Sequence, residues 1–307
     1  MKLRLHIFLK LLILGLCVGC SEDETSSDPF YELLRKEIAS RKVADVTVDP
    51  ELENHAAYIS AFRESLKDPR AEGLKEQWAE LGFEYAPFAG TLELECYQLS
   101  EVKEQKLGRG YFLFFPDSLS SNILQIPHQY IDTHTGKIAV RLAKENYFRV
   151  IAWNTLNRYA GRDHEKDWNT DFSNAKDSSF TALAHAFNEE NEGAYLFQIH
   201  GFSKTKRITR AGRQADFILS SGHYARTSPA FELMVQSMKN KFANVYLFPT
   251  ETGELGATKN VSGNILNKGK INHFIHIELS AESRENLIAK QKWRDSFYEA
   301  LFSVSNL

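Results

Sequence analysis

Cysteine is scarce in this chain of 307 residues: there are three, and two of them, Cys17 and Cys20, lie within the first twenty positions. A framework of internal disulfides is therefore excluded, and stability must come from a buried core. A basic excess is also missing. Lys and Arg number 37 against 40 Asp and Glu, for a formal net charge of −3; with no large basic excess to neutralise phosphates, the balance argues against nucleic acid as the main partner. The apolar run Leu11 to Gly19 is too short to span a bilayer as a mature helix. Nor is there a Gly-x-Ser-x-Gly elbow or a phosphate loop, which sets aside esterases and phosphatases of those types. What is present is ordinary globular material, 43% hydrophobic and 25% charged, in a chain long enough for a substantial core.

The first twenty residues stand apart. Lys2, Arg4 and Lys10 precede the short apolar run, and small residues end it, which reads as a secretory signal. The end of that run, LCVGCS, resembles a bacterial lipoprotein lipobox. Val18 and Gly19 suit the two positions before the acylated cysteine, and Cys17 stands where Leu is usual. The resemblance implies cleavage before Cys20 and lipidation of Cys20. The chain would then be exported and tied by lipid to the cell envelope, on the periplasmic side of a membrane. The competing reading is an ordinary cleaved signal with an incidental cysteine. SEDETSSDP, residues 21–29, is acidic, serine-rich and poor in apolar residues, as a solvated tether should be.

Two regions follow. Over 30–88, YELLRKEIASRK, HAAYISAFRESL and LKEQWAELGF carry apolar residues three and four apart, predicting a helical N-terminal extension. From 89 to 307 short β runs alternate with helices. The strand candidates are TLELECYQL, GYFLFFP, NILQIP, FRVIAWN, AYLFQIH, DFILSS, NVYLFP and FIHIEL. This order predicts an α/β fold: a mixed, mostly parallel sheet with helices on both faces and an antiparallel hairpin at one edge. Two polar loops, 158–177 and 249–272, are long for such a fold and suit the walls of a site.

Four polar residues fall where hydrophobic strands run out, which is where α/β proteins build their sites. They are His128 and Asp132 in ILQIPHQYIDTHTG, His200 in AYLFQIHGF and Glu278 in NHFIHIELS. Two imidazoles and a carboxylate form the three-ligand set of a catalytic zinc, with a fourth position left open. Each residue also has a plainer reading. Asp132 or Thr133 could cap the helix GKIAVRLAKEN, with His128 bonded to backbone; His134 competes with Asp132 as ligand. His200 could be a satisfied turn residue. Glu278 could pair with a buried arginine, although a carboxylate in so apolar a strand suits a general base. His276, two residues earlier, could touch the site or pack. Arg158, with Asn157 beside it, offers a guanidinium fork for a substrate carboxylate.

The order PH…D, NR, H, E resembles the zinc exopeptidase-like superfamily, which includes zinc carboxypeptidases, N-formylglutamate amidohydrolases and phage-type poly-γ-glutamate hydrolases. PHQYIDTHTGKIA is similar to the poly-γ-glutamate hydrolase motif, in which a His and a Glu a few residues later bind zinc before a Thr and a helix. Here the acid is Asp132 and the turn is one residue shorter. LNR resembles the Asn–Arg element of the carboxypeptidases and formylglutamate hydrolases, FQIHGF their last ligand, and IELS their catalytic glutamate. The resemblance covers roughly residues 110–290. It implies a Zn²⁺-dependent amide hydrolase with metal ligands His128, Asp132 and His200, catalytic Glu278, and substrate contacts from Asn157 and Arg158. An envelope location would make peptidoglycan-derived or γ-glutamyl peptides the substrate class. Two rivals remain. Zinc muramoyl-alanine amidases follow a related plan but carry a His-Glu pair in the first helix, for which Glu145 is the only candidate. A non-catalytic envelope lipoprotein would use the fold as a binding or scaffold module, and would have no need of a buried Glu278.

Overall fold

Mostly apolar, almost wholly buried strands set the centre of the molecule, because such runs suit strands covered on both faces. The computed structural model describes residues 28–303 apart from 45, 47–48, 90–93, 162–167, 191–192, 226 and 270–271. The expected signal peptide (1–20), Cys20 and the tether up to residue 27 lie outside the described residues. Nine strands are formed: β1 Phe83–Pro87, β2 Tyr97–Glu101, β3 Tyr111–Phe114, β4 Ile123–Ile126, β5 Val150–Trp153, β6 Leu196–Phe202, β7 Phe217–Ser220, β8 Val245–Leu247 and β9 Phe274–Ser280. They make one mixed sheet in the order β1-β2-β3-β5-β4-β6-β9-β7-β8. Its middle, β5-β4-β6-β9, is parallel. The β1, β2, β3 and β5 neighbours pair antiparallel, as do β9 and β7.

The helices are α1 Pro29–Ser40, α2 His55–Lys67, α3 Leu74–Glu80, α4 Thr135–Ala143, α5 Ser179–Glu190, α6 Arg210–Gln214, α7 Pro229–Lys241, α8 Val261–Leu266, α9 Ala281–Ala289 and α10 Gln291–Phe302. They cover both faces of the sheet, so two cores form. One gathers Leu124, Ile126, Phe197, Ile199, Ile275 and Ile277 with Phe30, Ile138, Met234 and Phe297. The other gathers Ile123, Leu196 and Phe274 with Phe62, Trp78, Phe180 and Leu266. No helix among the described residues is long and apolar enough to cross a membrane.

The helices expected over 30–88 are present, yet the boundary placed at residue 89 does not separate two layers. FEYAP forms β1, an edge strand paired with β2. Phe30 and Leu34 of α1, whose first turn is capped by Asp28, join the main core. The loop expected over 249–272 is interrupted by α8, capped by Asn260.

Side-chain alternation brings the polar residues of β6 and β9 to one face. In β6 that face carries Leu196, Gln198 and His200; in β9 it carries Phe274, His276 and Glu278, with Gln198 opposite His276 and His200 opposite Glu278. The apolar start of each strand lies in the core under α5 and α8. The polar residues nearer the C-terminal end line a cleft.

Candidate metal centre

The turn after β4 begins where Pro127 ends the ladder. Two backbone bonds to the His128 carbonyl, from Ile131 N–H (2.9 Å) and Asp132 N–H (2.8 Å), wind the chain through one tight turn. That turn brings the His128 and Asp132 side chains to one side. Helix capping is not the role of Asp132 or Thr133: the residue before α4 is His134, at φ 75° and with no side-chain cap bond. The Asp132 carboxylate instead accepts the Gly201 N–H at 2.9 Å, which draws the end of β6 towards it.

His128, Asp132 and His200 are all buried, and their ligand atoms lie within 4.8 Å of one another. The two Nδ1 atoms are 3.0 Å apart. Asp132 Oδ2 is 3.6 Å from His128 Nδ1 and 3.7 Å from His200 Nδ1. A tetrahedral ion with bonds of about 2.0–2.2 Å would separate its ligands by about 3.3–3.6 Å. The donor set fits such an ion.

Hydrogen bonding on the far side of each ring fixes the tautomers. His128 Nε2 lies 2.7 Å from Asp171 Oδ1, a carboxylate that can only accept, so Nε2 carries the proton. Arg158 Nη1, a donor, lies 3.1 Å from His128 Nδ1. His200 Nε2 lies 3.1 Å from Gln198 Oε1, and that oxygen also accepts the Asn260 amide at 2.7 Å. The Gln198 amide is oriented by its bond from Nε2 to Gln125 Oε1 at 2.7 Å. Both Nδ1 atoms therefore present lone pairs, and a carboxylate oxygen joins them. Three electron-pair donors facing one point are a set that could hold a cation. Anchoring the distal imidazole nitrogen on a carboxylate or amide is also how metal-binding histidines are held in orientation.

Ionisation follows the same geometry. Burial opposes a proton on His128, but Asp132 and Asp171 outweigh it and raise its pKa. Burial holds His200 well below the ordinary histidine range, and the neighbouring His276 and His128 add to the effect. The two Nδ1 atoms thus share one proton at most, on His128. Burial would lift the Asp171 carboxyl, yet bonds and charges from His128 and Arg158 bring it down to about 2. Burial pushes Glu278 up to about 8, and the Asp132 carboxylate adds to this.

Glu278 has no arginine ion pair among the described residues. Its nearest ionic neighbour is His276 Nε2, 3.7 Å from Oε1, and Oε2 has no hydrogen-bond partner. The salt-bridge reading of Glu278 therefore fails. Glu278, His128 and His200 all line one cleft of about 300 Å³, with Arg158, Asn174, Leu255 and residues 257–260 of the long second loop. Leu255 and Ala257 on that loop hold φ of 60° and 51°, backbone strain concentrated at the cleft wall.

Other expected residues are placed differently. Arg158 reaches the cleft, but its Nη2 is paired with Asp171 Oδ2. Asn157 turns away: its Oδ1 accepts the Tyr159 N–H at 2.9 Å, and it does not line the cleft. His134 lines a separate cavity with Arg35, Tyr130 and Lys137. Glu145 faces another, with Arg141 and Tyr298, so no acid from α4 joins the cluster. Gly201 leaves no open space beside His200: the Arg284 guanidinium lies where a β-carbon at position 201 would stand. Asp171 was not singled out from sequence. It sits in a loop holding several other acids, and no spacing distinguishes it.

No protein-family model matches the chain, and no curated protein matches its sequence. Among solved structures, N-formylglutamate amidohydrolase from Ralstonia eutropha JMP134 aligns at 10% identity and a TM-score of 0.42, covering 64% of this chain and 97% of its own. A metallo-carboxypeptidase from Burkholderia cenocepacia aligns at 10% identity and 0.37, covering 82% and 67%. A bacteriophage poly-gamma-glutamate hydrolase aligns at 13% identity and 0.33, covering 60% and 83%. All three are hydrolases by name. Alignments this distant do not decide function, which rests on the site.

Proposed function

We propose that this chain is a zinc-dependent hydrolase that cleaves an amide bond. The observation that carries the reading is the convergence of three buried electron-pair donors, His128 Nδ1, His200 Nδ1 and Asp132 Oδ2, with both imidazoles held in the metal-binding tautomer by Asp171 and Gln198. Bound by these three residues, Zn²⁺ would supply Lewis acidity towards a carbonyl and towards water. Glu278, in the same cleft, takes the proton from the attacking water and returns it to the departing nitrogen. Arg158 lines the cleft, where its guanidinium charge suits a substrate carboxylate. Asp171 holds Arg158 and His128 at once, so substrate recognition and metal binding share one brace.

The substrate class that suits this cleft is an acylated amino acid or peptide with a free carboxylate. Export and lipidation at Cys20 would place it in the cell envelope, favouring peptidoglycan-derived or γ-glutamyl peptides.

The test is metal content of the purified protein against His128→Ala and His200→Ala. One zinc per chain, lost in both variants, supports the reading; N-acyl amino acids and γ-glutamyl peptides are then the substrates to assay. A parent protein that retains no metal after zinc reconstitution removes the hydrolase mechanism and leaves a non-catalytic binding module in its place.

A further inference from the structure

His276 is the buried titratable group that the proposed hydrolysis does not use. It is 3% exposed and sits on β9, two residues before Glu278 on the same face. Its Nδ1 has no hydrogen-bond partner among the described residues, and its Nε2 is 3.7 Å from Glu278 Oε1, beyond hydrogen-bond distance. Glu278 Oε2 is unpartnered as well. A buried imidazole and a buried carboxylate, adjacent and both unsatisfied, are costly unless something compensates them.

His200 stands beside them. Its ring centroid is 4.6 Å from that of His276, and the ligand atoms of His200, His276 and Glu278 all lie within 4.8 Å of one another. The parallel register of β6 and β9 enforces the grouping, because His200 lies opposite Glu278 and Gln198 opposite His276. Two imidazoles and a carboxylate again make a set of the kind that zinc prefers.

We propose that His276 and Glu278, with His200, form a second position for a divalent cation beside the one held by His128, Asp132 and His200. This rests on the reading of that first set as a metal site. The second position is the weaker of the two. His200 directs its single lone pair, on Nδ1, to the first set, and its Nε2–H is committed to Gln198, so with the first ion in place His276 and Glu278 alone ligate the second and His200 only borders it. Filling the second position also occupies the Glu278 carboxylate, so metal binding there and proton transfer by Glu278 exclude each other.

The experiment is a titration of the metal-free protein with Zn²⁺, followed by calorimetry and by equilibrium dialysis to count bound ions. Two steps are expected, a tight first equivalent and a weaker second. His276→Leu should lose the second and keep the first; Glu278→Gln should weaken the second by about tenfold or more with the first unchanged. Circular dichroism of both variants checks that they remain folded, and having two variants protects the test if one does not. A parent that binds one equivalent and no second overturns this inference and leaves the hydrolase reading intact. So does a second step unchanged in a folded variant. A parent that binds none overturns both.

Discussion

His128 Nδ1 and His200 Nδ1 face each other across 3.0 Å, 72 residues apart in the chain, each with its other nitrogen held by an acceptor. Two lone pairs at that distance repel; Arg158 Nη1, 3.1 Å from His128 Nδ1, offsets part of this, and a proton or a metal ion between the two nitrogens would offset the rest. A proton can take that place only on His128, whose pKa Asp132 and Asp171 raise against burial. Metal and proton therefore compete for one location. Zinc affinity should fall as the pH drops below that raised pKa, and the release of one or more protons on metal binding, measured by calorimetry in buffers of different ionisation enthalpy, checks it. Binding with no proton release at any pH would count against the shared location.

Asp171 holds His128 in the tautomer that leaves Nδ1 free and pairs with Arg158 at the same time. Asp171→Asn keeps the size of the side chain but removes the charge, and its amide can present a donor to Nε2. Zinc affinity should fall about 10–100-fold, the range for losing such a brace. The depressed pKa of Asp171 has a separate consequence. Its folded value of about 2 lies below the ordinary 3.8, so its contribution to stability is present above pH 3.8 and is lost as pH falls towards 2. The parent should lose stability in that window more steeply than Asp171→Asn, as measured by urea denaturation. Equal slopes would show that Asp171 carries no such linkage.

Glu278 works the other way. Burial and Asp132 raise its pKa from 4.5 to about 8 in the metal-free protein. The folded state thus binds a proton more tightly than the unfolded state, so stability is fully present below pH 4.5 and declines as pH rises towards 8. The full cost of ionisation is on the order of 5 kcal/mol. Glu278→Gln escapes it. In the presence of chelator the variant should gain a few kcal/mol over the parent at pH 9 relative to pH 5. With zinc restored, its turnover should drop about 10²–10⁴-fold, the usual contribution of a general base. A stability difference that is the same at both pH values would refute the buried-carboxylate account.

The strands that carry the site were legible in the sequence because they are short, mostly apolar runs broken by one or two polar residues. ILQI, LFQIH and FIHIEL announce both the sheet and the positions at which it turns polar. The helices α4, α5 and α7 were legible from their spacing. β1 was not, because FEYAP directly follows α3 and is paired only at an edge, so its burial alternates without a long apolar signal. Asp171 and Asn260 were invisible for another reason. Their roles depend on loops returning to the end of the sheet, and no local spacing encodes where a loop of twenty residues returns. The amide relay Gln125–Gln198–Asn260 that orients His200 is likewise a product of strand register.

The proposal of export makes a prediction about the one cysteine that the lipobox resemblance selects. Cys20→Ser should move the protein from the membrane fraction to the soluble fraction and abolish labelling by radioactive palmitate in cells of a bacterium with lipoprotein processing. Metal content of the released protein should be unchanged, because the site lies on the sheet and not on the leader. Unaltered fractionation of the variant would assign Cys20 an incidental place in an ordinary signal.

Gly201 offers the sharpest test of packing behind the site. Its N–H donates to Asp132 at 2.9 Å, and the Arg284 guanidinium occupies the space where a side chain would stand. Arg284 is itself held by the Leu279 carbonyl, 2.6 Å from Nη1, so it cannot swing aside without losing a buried hydrogen bond. Gly201→Ala should therefore push the end of β6 away from α9 and lengthen the contact to Asp132. A cost of about 1–3 kcal/mol in stability is expected for inserting one methyl group into a filled space. Zinc affinity should fall with it, because both His200 and Asp132 are displaced. Pairing the change with Arg284→Ala separates the causes. If the overlap with Arg284 is responsible, the double variant should recover zinc affinity that Gly201→Ala alone has lost, even though removing Arg284 destabilises the fold. Failure of the double variant to recover any affinity would show that the backbone at 201, and not the space beside it, sets the position of His200.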